Sequence, residues 1–246
     1  MQLYFIRHAQ SENNAIWAAT QSDVGRKSDP ELTEIGERQG QAVADFLSQT
    51  IGSVEFDGYN KQGFHFTHLY SSLMVRAVKT GTYISQAMGV PLVAWPEIHE
   101  SGGIFEKNHE TGERTGLDAN NRAYFEQHYP DLVLPDDFGE EGWWGKRPFE
   151  PREEMVTRAN QFLHNLYARH GKTEDRVAIV SHGGFFYGLM LAILQFSRHN
   201  EHLDTDPTFI WLQKNNASVS RIDFVADTIQ VKYMNRIDYF PLELIT

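Results

Sequence analysis

Apolar positions along the chain fall into short continuous segments separated by longer segments of helical spacing. Residues Gln2–Ile6 (QLYFI) are rich in β-branched and aromatic side chains and predict a short buried strand. From Leu32 the period changes. Leu32, Ile35, Ala42, Val43, Phe46 and Leu47 recur at helical spacing, with Thr33 placed to cap the helix. Phe66–Tyr70 predicts a second strand, residues 71–88 a second helix stopped by Gly89 ahead of Pro91, and residues 91–94 (PLVA) a third strand. Glu153–His170 is an amphipathic helix carrying Met155, Val156, Ala159, Phe162, Leu163 and Leu166, and Gly171 ends it. Arg176–Ser181 (RVAIVS) reads as a strand covered on both faces, and a helix over Phe185–Gln195 follows directly.

Strands alternating with helices of this length predict βαβ units in an α/β fold: a three-layer αβα sandwich around a mostly parallel sheet. Towards the C-terminus Thr208–Leu212, Ala217–Val225 and Thr228–Tyr233 read as consecutive strands, the last two joined at Ala226–Asp227 as an antiparallel hairpin that makes the sheet mixed. Gly102–Glu150 is the least regular region, with one helical piece near Asn121–His128. It is read as an insertion within a single domain spanning 1–246.

Composition narrows the function. Among 246 residues there is no cysteine, which excludes a disulfide framework, thiolate zinc sites and a cysteine nucleophile. Lys and Arg number 22 against 33 Asp and Glu, a formal charge of −11 that disfavours nucleic acid or an anionic membrane as the main partner. A small anion in a local basic pocket remains compatible. The longest apolar run, Gly184–Leu194, is too short to cross a bilayer, and the opening MQLYFIRHAQ lacks the form of a signal peptide, so a cytoplasmic protein is expected. Nothing marks an interface, which leaves self-association open.

The reactive residues sit where strands end. The first strand runs into Arg7-His8, the second leads to Arg76, and RVAIVS ends in Ser181-His182-Gly183-Gly184, where a helix begins. In open α/β sheets the ligand site lies beyond the carboxyl ends of the strands, so two histidines and two arginines gather on one edge with helix N-terminal amides beside them. Phosphoryl transfer through a histidine requires such a set: a neutral imidazole as nucleophile, guanidiniums on the phosphoryl oxygens and a carboxylic acid for the leaving alkoxide.

Five motifs occur in a familiar order: Arg7-His8-Ala9 with Ser11 and Asn14, LTEIGERQGQAVADFL (32–47), YSSLMVRAVKT (70–80), VSHGG (180–184) and NNASVSRIDF (215–224). Together they resemble the histidine phosphatase superfamily, in its phosphoglycerate mutase-like branch, with Ala9 in place of the usual glycine. The resemblance implies His8 as the residue that becomes phosphohistidine, and a phosphate pocket of Arg7, Asn14, Arg76, His182 and Gly183. For the general acid it points to Glu100, with Glu97 and Glu106 as alternatives. It implies no cofactor and no metal; His199 and His202, three apart, lack a carboxylate-rich partner motif. The nine histidines other than His8 and His182 are expected at the surface.

Three activities follow. The first is a metal-independent phosphatase of small phosphorylated metabolites. The second is a cofactor-dependent phosphoglycerate mutase, disfavoured because Glu100–Glu106 contains none of the cations a mutase places there. The third is a non-catalytic module that binds a phosphorylated ligand, disfavoured by retention of the whole pocket set. Trp143 and Trp144, with Lys146 and Arg147, suit either a hydrophobic plug or a lid. The expectation taken forward is a lid over the site, around Gly139–Arg152.

Overall fold

The computed structural model describes residues 1–50, 58–138, 141–194, 212–226 and 228–246. Its strands are β1 (Gln2–Arg7), β2 (His68–Ser71), β3 (Leu92–Ala94), β4 (Phe105–Lys107), β5 (Arg114–Gly116), β6 (Arg176–Ser181), β7 (Val219–Val225) and β8 (Thr228–Arg236). Six of them form one sheet in the order β3-β2-β6-β1-β7-β8, while β4 and β5 pair separately. β3, β2, β6 and β1 run parallel, whereas β7 is antiparallel to both β1 and β8. The carboxyl ends of the four parallel strands therefore share one edge, with Arg7 of β1 opposite Ser181 of β6.

Alternation along the central strands builds the layers. Leu3 and Phe5 of β1, with Val177 and Ile179 of β6, pack against α5 (Arg152–His170) and α6 (Gly183–Leu194) through Phe162, Leu166, Phe185 and Phe186. Tyr4, Ile6, Ala178 and Val180 face the other way, against Val43 and Leu47 of α2 (Glu34–Ser48) and Ala77, Val78 and Ile84 of α3 (Val75–Met88). This is the predicted αβα arrangement on a mixed, mostly parallel sheet.

Differences from the sequence reading have local causes. Helix α1 (Glu12–Thr20) was not expected: none of its residues is buried, so it has no apolar stripe to reveal it. It is set by a capping box in which Ser11 Oγ accepts from the Asn14 amide (3.4 Å) and Asn14 Oδ1 accepts from the Ser11 amide (3.1 Å). Helix α3 begins at Val75 rather than at residue 71, because Ser71 still pairs in the sheet and the Ser72 hydroxyl accepts the Met74 amide. The β4–β5 hairpin is short and mostly exposed, and it carries no alternation. The terminal hairpin forms as β7 and β8. Residues 208–211 of the expected strand, together with Gly139, His199 and His202, lie outside the described residues, and Leu212 is not in a strand. His99 and His170 are buried rather than superficial, each held by hydrogen bonds. No helix among the described residues is long and apolar enough to cross a membrane.

The lid expectation is corrected for Trp143, Trp144, Lys146 and Arg147, while Phe149, Glu150 and Arg152 of the same segment do border the cavity over the sheet edge. Trp143 and Trp144 lie in the core with Phe125, Phe138 and Ile104, the insertion's helix α4 (Arg122–His128) supplying Phe125. Trp144 Nε1 donates to Arg147 O (2.7 Å), and the Arg147 guanidinium covers its ring at 4.0 Å. Lys146 points outward and pairs with Asp118 at 3.2 Å. The indole presses on Gly103, where an added Cβ would fall 2.1 Å from the ring, so the pair is a plug beneath the 100–103 loop. Truncating Trp144 to Ala empties a site now 3% exposed. It should cost about 3–5 kcal/mol, measured as a lowered urea midpoint at constant m.

Candidate active site

β1 delivers His8 to the sheet edge as a nearly fully buried residue, 2% exposed. The His8 carbonyl is fixed by the Ala217 amide and Asn216 Nδ2, both at 3.1 Å, and its amide donates to Ser181 O at 2.9 Å. Its ring is fixed as well. Nδ1 lies 2.7 Å from Ala9 O, which can only accept, so Nδ1 carries the proton. Nε2 is then a bare lone pair, and it accepts from Arg76 Nε at 3.3 Å. Burial and the charges of Arg76 and Arg7 hold the His8 pKa well below its ordinary 6.5, so the ring is neutral at physiological pH. Ala9 meets no obstacle: its methyl is part of the core, and its amide donates to Thr80 Oγ1 at 3.1 Å.

Two guanidiniums flank the ring. Arg76 is anchored by Asp29, 3.5 Å from Arg76 Nη1, and Asp29 also accepts the Val75 amide (3.1 Å) to cap α3, whose N-cap residue Met74 provides no side-chain bond. Burial raises Asp29 to about 6 despite Arg76. Arg7 donates through Nη1 to Lys214 O, while its Nε is buried without a partner. Burial lowers Arg7 to about 10, which leaves it charged. His182 stands 5.0 Å from His8 between ring centres; its Nε2 meets Ser72 Oγ at 2.9 Å and its Nδ1 has no partner. Orphaned buried polar atoms are costly unless a ligand takes them. Two of them occur here, on a guanidinium and an imidazole, and an oxyanion suits both.

A cavity of about 430 Å³ opens over this edge. Arg7, Glu100 and Gly183 line it together with Gly184, Phe149, Arg152 and Tyr187, while His8, Arg76 and His182 lie buried behind the lining. Glu100 Oε1 accepts from the Ser101 amide (2.8 Å) and from the Phe185 amide in the first turn of α6 (3.2 Å). Gly184 leaves room for that carboxylate, since an added Cβ would fall 2.3 Å from the oxygen and displace it. The alternatives are placed elsewhere. Glu97 is bound to Trp95 Nε1 and Asn165 Nδ2, and Glu106 is exposed on β4. Asn14 is tied through Oδ1 to Ser11 and to Asn216 Nδ2 at 3.0 Å, outside the cavity lining. Trp143, Trp144, Lys146 and Arg147 are absent from that lining as well.

Several contributors escaped the sequence reading. Asp29, Ser72 and Asn216 act on site residues through hydrogen bonds, and Lys214 is buried with Nζ on Ser220 Oγ at 2.6 Å. Ser72 and Asn216 lie inside the 70–80 and 215–224 motifs, and the 32–47 motif also serves the site's support. Within the 32–47 helix, Gly36 allows contact with Gln10 O and Gln39 Oε1 accepts the Gln10 amide at 2.7 Å. Asp29 and Lys214 lie outside the motifs.

Comparison with known proteins gives a consistent neighbourhood. The model of the histidine phosphatase superfamily (branch 1) matches residues 3–237. A probable phosphoglycerate mutase of Photorhabdus laumondii is 27% identical over 226 residues, covering 91% of this chain and 85% of its own. The structure of a mycobacterial glucosyl-3-phosphoglycerate phosphatase superposes with a TM-score of 0.57 at 17% identity, covering 95% of this chain and 98% of that one. A phosphoserine phosphatase of Entamoeba histolytica gives 0.56 at 18%, covering 97% and 98%. At these identities the structural likeness concerns the fold.

The buried imidazoles set a pH dependence of stability. His8, His99 and His182 all have pKa values well below 6.5, so the folded chain binds their protons more weakly than the unfolded chain does. Their stabilisation is present above about 6.5 and is lost as pH falls. Asp29, raised from 3.8 to about 6, acts oppositely across that window. His170 is lowered and Glu31 raised as well, so four imidazoles act against two carboxylates; urea midpoints should fall between pH 7.5 and 5.5, and His99→Gln should flatten the slope.

Proposed function

The chain belongs to the histidine phosphatase superfamily (branch 1), and on that premise we propose that it is a metal-independent phosphomonoesterase of small phosphorylated metabolites, working through phosphohistidine at His8. The observation that carries this reading is the His8 ring itself: neutral, with Nδ1 bonded to Ala9 O and its Nε2 lone pair 3.3 Å from a guanidinium nitrogen.

In the proposed reaction Nε2 attacks phosphorus as the bond to the leaving oxygen breaks. The Glu100 carboxyl gives its proton to that oxygen. Arg7 and Arg76 neutralise the equatorial oxygens, with His182 Nδ1–H and the α6 N-terminus as further donors. Selecting Nδ1–H on His182 requires the Ser72 hydroxyl to donate to Nε2, which its acceptance of the Met74 amide permits. A water then attacks the phosphohistidine and yields its proton to the Glu100 carboxylate, and Nε2 regains its lone pair. Positive charge comes from the two arginines, the part that metal ions play in other phosphatases, so chelation should leave turnover unchanged.

Hydrolysis is favoured over mutase chemistry because Glu100–Glu106 carries no Lys or Arg to retain an acidic product for rephosphorylation. The first half-step is common to both. Conversion of 3- to 2-phosphoglycerate with a bisphosphoglycerate primer, at a rate matching phosphate release, would establish the mutase instead. Phosphatase names among the structural neighbours lend further support.

Rapid quench with labelled substrate should trap an acid-labile, alkali-stable phosphoenzyme, and His8→Ala should abolish both label and turnover. Glu100→Gln should lower kcat/KM by about 10²–10⁴-fold for an alkyl phosphate and far less for p-nitrophenyl phosphate, whose leaving group needs no proton. Equal losses on both substrates would assign Glu100 a positional role.

A further inference from the structure

We propose that His68, His170 and Asp175 form a binding site for a divalent transition-metal ion such as Zn²⁺, at the sheet edge opposite the catalytic pocket. The three residues meet where β2 and β6 begin and α5 ends. One donor atom from each lies within 4.8 Å of the other two.

The turn after α5 creates this convergence. Lys172 takes a left-handed conformation, Thr173 Oγ1 donates to His170 O (2.7 Å) and accepts the Asp175 amide (3.0 Å), and the chain folds back. Asp175 Oδ2 then lies 2.9 Å from His170 Nδ1. His68 approaches from β2, its ring 4.5 Å from that of His170 and its Nδ1 4.0 Å from Asp175 Oδ1. Metal–ligand bonds of about 2.0–2.2 Å in tetrahedral geometry put ligand atoms roughly 3.4 Å apart. The two separations straddle that value, and no pair among the three donor atoms exceeds 4.8 Å.

Hydrogen bonding alone leaves the cluster incomplete. Asp175 bonds one histidine, while the second faces it from beyond hydrogen-bond range, with Nδ1 on Thr67 Oγ1 at 2.9 Å. His170 is supported from behind by Tyr70, whose hydroxyl is 3.0 Å from Nε2. That hydroxyl serves either tautomer. It donates to Nε2 when Nδ1–H bonds Asp175, and it accepts Nε2–H when a cation takes the Nδ1 lone pair. An outer partner of this kind fixes ligand orientation in metal–histidine sites. His68 and Asp175 are partly exposed, which leaves a coordination position for water.

The test uses the untagged full chain, stripped with chelator and titrated with Zn²⁺ in a calorimeter, and with Co²⁺ by visible absorption. The expected result is one equivalent bound, a melting temperature raised by several degrees, and the intense visible bands of low-symmetry Co²⁺. His68→Ala and Asp175→Asn should each weaken binding at least tenfold, while p-nitrophenyl phosphate turnover stays at the wild-type value because the pocket is at the other sheet edge. His68 is partly exposed, so this variant should keep its metal-free melting temperature and report on binding alone. Absence of stoichiometric binding, or equal affinity in both variants, would overturn the site.

Discussion

Two guanidiniums are removed from water at the carboxyl ends of parallel strands, with Asp29 bonded to one of them and Glu100 facing both, and the architecture around the pocket follows from their demand for partners. A charge removed from water must be paired or hydrogen-bonded. Asp29 serves Arg76, the Lys214 carbonyl serves Arg7, and Glu100 faces both from the rim. The remaining demand, expressed in the unpartnered Arg7 Nε and His182 Nδ1, falls on a ligand of opposite sign. A chain of formal charge −11 can concentrate positive potential here because the acidic excess is spread elsewhere.

The same burial decides the state of the imidazoles. His8 and His182 lie behind the cavity lining, where desolvation and nearby cations, Arg76 for both with Arg7 beside His8, keep them neutral. Neutrality makes Nε2 of His8 a lone pair, and the Ala9 carbonyl determines which nitrogen that is. Much of the motif sequence serves positioning. Asn216 and Ala217 hold the His8 carbonyl, Gln39 satisfies the Gln10 amide, and Ser72 orients His182. A shift in any of these would move the reacting atoms by fractions of an ångström, the scale on which positioned catalysis fails.

The insertion works by support from below. Trp144 presses on Gly103 and both indoles pack against His99, so the loop presenting Glu100 rests on a rigid aromatic base. Arg158 extends that base, gripping the Glu150 carboxylate with two bonds of 2.6 Å while donating to Glu97 O and His99 O. The residues that reach the cavity from this side are Phe149, Glu150 and Arg152, just beyond the tryptophans.

The sequence alone determined the layers and the strand-end chemistry, because both are periodic or local. The continuous apolar runs of QLYFI and RVAIVS and the 3.6-residue stripes of α2 and α5 are properties of consecutive residues, and Arg7-His8 and Ser181-His182 sit directly after strands. Only the tertiary structure decided what depends on distant segments. Helix α1 has no apolar stripe and rests on a capping box. Asp29 meets Arg76 across 47 residues, and Lys214 meets Arg7 across 207. Of Glu97, Glu100 and Glu106, the packed loop directs only Glu100 to the cavity. The role of Trp143 and Trp144 was undecidable from composition, since an apolar face suits a lid or a plug equally. What settled it was the space beneath Gly103, which a glycine leaves open and an indole fills.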